Sequence, residues 1–116
     1  MEYSERKSEA QYSLRITSFA LKNLDQITGY IAFIKHEPQS AIKVGDRIFE
    51  KIEQIGKNPL AFRECEEIPT KSKLYRKAIC LSWQIVFRVR KKQITILGII
   101  HSNRKRSYIK KLRKIK

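Results

Sequence analysis

The interval between apolar residues changes twice along this chain. Near the start, Tyr12, Leu14 and Ile16 alternate with Ser13, Arg15 and Thr17, the two-residue period of a strand. The interval then lengthens. Leu21, Leu24, Ile27 (or Thr28), Ile31 and Ile34 recur every three or four positions, which predicts an amphipathic helix over about Phe19–Lys35, with Ser18 as its N-cap. Gly29 within it costs about 1 kcal/mol relative to Ala. His36 and Glu37 form a joint, and Pro38 suits the first turn of a second helix. The stripe of that helix is Ala41, Val44, Ile48, Ile52 and Ile55, and Gly56 and Pro59 end it. Two helices joined so closely must lie antiparallel as a hairpin.

Residues 57–74 read as a loop with an acidic knot at Glu64, Glu66 and Glu67. The short period then returns. Tyr75–Cys80, Trp83–Arg90 and Ile94–His101 are predicted strands, and their connections, around Leu81–Ser82 and Lys91–Lys92–Gln93, have hairpin length. They should form an antiparallel meander. In the central strand Trp83, Ile85, Phe87 and Val89 share a face, which is expected to cover the helical hairpin. Gln84, Val86, Arg88 and Arg90 share the other. With Arg76 from the preceding strand, that second face is expected to be an exposed basic surface. From Arg104 to Lys116, Tyr108, Ile109, Leu112 and Ile115 sit among cations, as in a short helix or a basic tail that orders on a partner. The fold class is α+β: an N-terminal strand and a helical hairpin packed on one face of a small antiparallel sheet. One domain spans residues 12–116, with a basic segment at 104–116, after a flexible lead-in at 1–11.

Composition supports this reading. A chain of 116 residues that is 41% hydrophobic, with only four Gly and three Pro, can bury a single core without staples. Charge adds something new. All eleven Asp and Glu lie between Glu2 and Glu67, beside ten Lys and Arg, giving 10 − 11 = −1; Ile68 to Lys116 holds sixteen cations and no carboxylate, giving 16 − 0 = +16. So one-sided a charge attracts polyanions: nucleic acid, the ribosome or an acidic protein. Cys65 and Cys80 are too few for a disulfide framework and read as reduced thiols of a cytoplasmic protein. No apolar run approaches the ~20 residues of a membrane span, and the polar N-terminus does not resemble a signal peptide. No metal cluster, P-loop or glycine-rich phosphate loop is visible, so no cofactor is expected. The glycine-flanked aromatic pattern of RRM domains is absent too, although a basic nucleic-acid-binding module of another kind stays among the alternatives.

Three segments carry a resemblance over about Tyr12–Leu112. They are "RIFEKIEQIGKNPLAFR" (Arg47–Arg63), "LYRKAICLSWQIVFRV" (Leu74–Val89) and "ITILGIIHSNR" (Ile94–Arg104). In this order and spacing the chain resembles the RelE/ParE superfamily of toxins from type II toxin–antitoxin systems, also known as plasmid stabilisation proteins. The resemblance implies a cognate antitoxin as partner, with any homo-oligomer formed through antitoxin complexes. It also implies one of two activities: ParE-like members poison DNA gyrase by binding it, and RelE-like members cut messenger RNA in the ribosome.

RNA cleavage needs a base for the 2′-hydroxyl, an acid for the leaving oxygen and cations around the phosphorane. If the chain is RelE-like, the resemblance places these roles on Arg76, His101, Arg104 and Tyr108. His101 is the one His of the basic half and the acid/base candidate. Two cationic positions of the nuclease pattern fall instead on Ala78 and Gln84. That favours the ParE-like reading, in which the chain is not an enzyme. Lys71, Lys73, Arg76, Lys77, Arg88 and Arg104 are the candidates for binding a target or nucleic acid. Trp83 has the spacing of a core aromatic.

Overall fold

The computed structural model describes residues 12–116; the lead-in expected at 1–11 lies outside the described residues. Strand β1 (Ser13–Ile16) runs into helix α1 (Ser18–Gly29), which continues as one π-helical turn (Tyr30–Ile34) before helix α2 (Pro38–Lys57). A 3₁₀ turn (Pro59–Ala61) and a loop lead to β2 (Tyr75–Cys80), β3 (Trp83–Arg90) and β4 (Gln93–His101). The chain closes with helix α3 (Arg106–Lys110) and a 3₁₀ turn (Lys111–Lys114).

The sheet order is β1-β4-β3-β2. Strands β2 to β4 form the expected meander, and β1 joins its far edge parallel to β4. The β3–β4 turn has φ 49° at Lys91 and 67° at Lys92, the left-handed pair that a two-residue type I′ turn requires. Val86 lies opposite Gly98 and Phe87 opposite Ile96, so Leu97 is an extra residue, a β-bulge in β4. Gly98 has little room for a side chain there: a Cβ on it would lie 3.0 Å from Leu112 Cδ2.

Cores lie on both sides of the sheet. On the hairpin side Ala20, Leu24, Ile48, Ile52 and Ile55 pack against Ala78, Ile85, Phe87, Ile94, Ile96 and Ile99. The α2 stripe is buried as its period requires. The α1 stripe is offset: Ala20, Asn23 and Leu24 are its buried residues, while Leu21 and Ile34 are 45% and 64% exposed. Thr17, not Ser18, caps α1, and its hydroxyl accepts from the amide of Ala20 at 3.1 Å.

The second side corrects an expectation. The face carrying Gln84 and Val86 is not an open basic surface. Cys65, Ile68, Tyr75, Val86, Leu97, Ile100, Ile109 and Leu112 form a second core upon it, and Gln84 and Val86 are buried. The C-terminal segment supplies the cover because Ile109 and Leu112, three positions apart, fall on one side of α3 and its continuation. Arg76 also changes sides. It pairs with Phe87 and therefore lies on the hairpin face, whereas Lys77, paired with Val86, lies on the second.

Candidate functional site

Strand β4 ends at His101, directly opposite Trp83 at the start of β3. The imidazole meets the indole edge-on, with ring centroids 6.0 Å apart. The turn that follows brings the amide of Asn103 to 3.1 Å from His101 Nδ1. A ring nitrogen that accepts a backbone N–H bears no proton, so the neutral imidazole holds its proton on Nε2. The same turn delivers Arg104, whose guanidinium lies 3.8 Å from the ring centre of Tyr108, a cation–π contact.

The opposite wall comes from the hairpin tip. There the amide of Lys35 donates to the carbonyl of Tyr30 at 3.1 Å, five residues back, as a π turn does. His36 at φ 57° reverses the chain. Tyr30, Ile31, Lys35 and Glu37 thus face Trp83, His101, Arg104 and Tyr108 across a groove of about 590 Å³. Sequence reasoning found the β4 side of this groove and missed the hairpin side. Nothing in the spacing of Tyr30 to Glu37 announces a π turn, and the predicted joint at His36 and Glu37 fixed only that the two helices are antiparallel.

The structure therefore brings together three of the residues expected for a RelE-like site: His101, Arg104 and Tyr108. It keeps Arg76 apart. Arg76 lies two strands over and four rows down from His101, roughly 15 Å away on standard sheet spacings. Its guanidinium donates to the carbonyls of Phe62 at 2.7 Å and Leu60 at 3.4 Å. Backbone pairing supports the same junction: Cys65 N to Tyr75 O at 2.8 Å and Lys77 N to Arg63 O at 3.1 Å cover the open edge of β2. Arg76 thus fastens the loop to that edge.

Lys77, expected among the target-binding cations, is 6% exposed. Its ammonium lies 3.2 Å from Glu66 and 3.3 Å from Glu67, and Cys65 donates its thiol proton to the same Glu67 oxygen at 3.4 Å. Burial alone would raise the Glu67 carboxyl, but its backbone hydrogen bond, the thiol and Lys77 together hold it below the usual value of 4.5. Burial, and then the Glu67 hydrogen bond, push the Cys65 thiol up to about 11, and burial also raises Cys80. Both cysteines are buried and free, and neither has the thiolate character of a nucleophile. Of the remaining candidates, Lys71 and Lys73 are exposed in the loop and Arg88 is half-buried on the second face.

Chemically, the groove offers one imidazole, two cations (Lys35 and Arg104), one carboxylate (Glu37), two phenols (Tyr30 and Tyr108) and the indole of Trp83. Those groups suit an anionic or aromatic surface feature of a partner. For phosphoryl chemistry the groove lacks the Arg76 guanidinium, which the carbonyls of Phe62 and Leu60 hold elsewhere. Among the described residues no group of His, Cys, Asp and Glu could hold a metal ion.

The family model for the ParE toxin of type II toxin–antitoxin systems, parDE, matches residues 14–106. The chain belongs to the ParE toxin family. A chain from the chromosomal ParDE toxin–antitoxin system of P. aeruginosa has a similar structure, with a TM-score of 0.62 and 25% identity over 79% of this chain and 97% of that one. No curated protein matches. Membership in the ParE family replaces the alternative of a nucleic-acid-binding module of unrelated kind. The ParE match runs from the second residue of β1 to the first of α3, and so takes in His101 and Arg104 but stops before Tyr108 and the rest of the C-terminal cover.

Proposed function

We propose that this protein is the growth-arresting partner of a toxin–antitoxin pair, that it acts by binding DNA gyrase rather than by chemistry, and that a cognate antitoxin neutralises it in the cytoplasm. The observation that carries this reading is the dispersal of the cations. The family match supplies the ParE context, and two cations of β2 serve the fold instead of a site: Arg76, one of the four groups of the nuclease pattern, on loop carbonyls, and Lys77 on two carboxylates. Lys71, Lys73 and Arg104 stay exposed for a target. The groove between the hairpin tip and β4, together with the exposed apolar side of the hairpin, offers a large surface for a protein partner.

The test is a supercoiling assay with purified gyrase and toxin. Inhibition at near-stoichiometric toxin, relieved by the antitoxin encoded alongside, is the expected result; full supercoiling at tenfold excess would overturn the gyrase reading. One observation favours a second reading: His101, Arg104 and Tyr108 converge on one groove. On that reading the protein is a ribosome-dependent endoribonuclease with His101 as acid or base. Primer extension on translated messages after induction separates the two, since cleavage that disappears with His101→Ala supports only the second. No helix of the described residues is long and apolar enough to cross a membrane.

A further inference from the structure

The C-terminal cover of the sheet has an outer surface as well as an inner one. Its apolar residues turn inward: Ile109 is 1% and Leu112 2% exposed. Between them and around them Lys105, Arg106, Lys110, Lys111, Arg113 and Lys114 are all exposed. Arg88 and Arg90 of β3 stand on the same face of the sheet, since they alternate with the hairpin-side residues Phe87 and Val89. Among the described residues, none of these cations lies within salt-bridge distance of a carboxylate. Glu67 lines a cleft with Lys110, Lys111, Arg113 and Lys114, but its ion pair, like that of Glu66, is with Lys77. Ordered secondary structure therefore holds a dense cationic ridge in a fixed shape, with no ion-pair partner among the described residues.

Three observations narrow its partner. First, every large exposed hydrophobic side chain among the described residues lies between Leu14 and Leu81, and none lies on this ridge. A protein or peptide interface draws its affinity from buried apolar and aromatic anchors, and the ridge offers none. Those anchors stand elsewhere, as Tyr30, Phe33, Ile42 and Phe49 on the hairpin. Second, no aromatic ring on this side of the sheet is free for base stacking among the described residues: Tyr75 is buried, Phe19 is half-buried against the second core, and Tyr108 is half-buried beneath Arg104. Single-stranded nucleic acid is held largely by such stacking. Third, Lys and Arg alone, without a protruding helix for a groove, serve phosphates rather than base edges. We propose that this C-terminal ridge binds the phosphate backbone of a nucleic-acid double helix, irrespective of sequence. The proposal does not depend on gyrase being the target, because it concerns the free toxin and naked duplex.

Fluorescence anisotropy with labelled 20-base-pair duplexes of two unrelated sequences, one of them also made as duplex RNA, tests this on the full chain. Counterion release by about five phosphate contacts should weaken binding roughly 500-fold between 50 and 200 mM salt. Two triple variants supply the contrast: Lys110→Glu with Lys111→Glu and Lys114→Glu on the ridge, and Lys22→Glu with Lys43→Glu and Lys57→Glu on the hairpin. Each set lowers the net charge by six, from +15 to +9. The ridge set should lose at least thirtyfold in affinity and flatten the salt dependence; the hairpin set should lose less than threefold. Tight binding to both DNA and RNA duplexes, or to DNA alone, supports the proposal, the two outcomes telling which helix form the ridge prefers. Equal losses in the two triple variants, tighter binding to single strands, or a ridge variant that binds duplex normally but loses its antitoxin, would overturn it.

Discussion

Lys77 has lost almost all its water and holds its charge through two carboxylates, one of them exposed and one nearly as buried as itself. Replacing a lone member of such a pair is costly because the other is left charged in an apolar wall. Lys77→Ala strands Glu67 among Cys65 and its neighbours, and should destabilise the fold by about 3 kcal/mol. Chemical denaturation at pH 7 measures this, and a change within 0.5 kcal/mol of the parent would contradict the burial argument. The sign of the pH effect follows from the direction of the shift. Glu67 titrates below its ordinary 4.5 in the folded protein, so its stabilising contribution is complete above that pH and fades as pH falls through the depressed value. Glu67→Gln should therefore remove part of the stability loss seen between pH 5 and pH 3, and Lys77→Ala should shrink that loss as well. At this scale the sequence was a poor guide. A Lys flanked by Arg76 and Ala78 reads as a solvated cation, and only the pairing of β2 with β3 and the arrival of Glu66 and Glu67 from a loop make it a buried one.

The elements themselves were legible because periodicity carries them. The stripe of α2 and the alternation of β3 are each long enough that a slip by one residue would expose several apolar side chains, and both appear where expected. What periodicity cannot show is how the elements join. Asn23 looks like an ordinary polar residue of α1, yet it is 7% exposed, and its Oδ1 accepts from the amide of Ile99 at 2.9 Å. Beside it Thr17 accepts from Ala20 and donates to the carbonyl of Leu97 at 3.3 Å. Strand β1 pairs with β4 only as far as Ile96, so the edge of β4 beyond the bulge would be unpaired without these two side chains. This explains why α1 packs one position away from its apparent stripe, leaving Leu21 and Ile34 outside. Asn23→Leu keeps the branched shape and removes the acceptor. Leaving the Ile99 amide buried without a partner should cost about 2 kcal/mol. Hydrogen exchange should report faster exchange at Ile99 and its neighbours but not in the β2–β3 hairpin; uniform change, or none, would contradict the role given to Asn23. The groove was half legible for the same reason: His101, Arg104 and Tyr108 are close in sequence, whereas Tyr30 and Lys35 reach it only through a π turn.

For the molecule as a whole, the sheet separates two kinds of surface. The helical hairpin presents apolar side chains within the half of the chain that is nearly neutral, and the C-terminal cover presents cations within the half that holds no carboxylate. Packing Ile109 and Leu112 onto Val86, Leu97 and Ile100 draws those cations together, so part of the apolar gain is spent against their mutual repulsion. Repulsion between exposed charges is screened over about 10 Å at 0.1 M salt, whereas burial and the Lys77 pair are screened far less. Added salt should thus stabilise this protein, contrary to the usual weakening of surface ion pairs. The midpoint of thermal unfolding should rise by several degrees between 20 and 300 mM sodium chloride, and the ridge variant at +9 should show a smaller rise from a higher starting point than the hairpin variant of equal charge. If the two variants respond alike, the repulsion is spread over the whole surface and the cationic ridge is not a distinct feature of the folded molecule. If the midpoint falls with salt, attraction between the two halves outweighs repulsion within one, and the separation of surfaces described here is wrong.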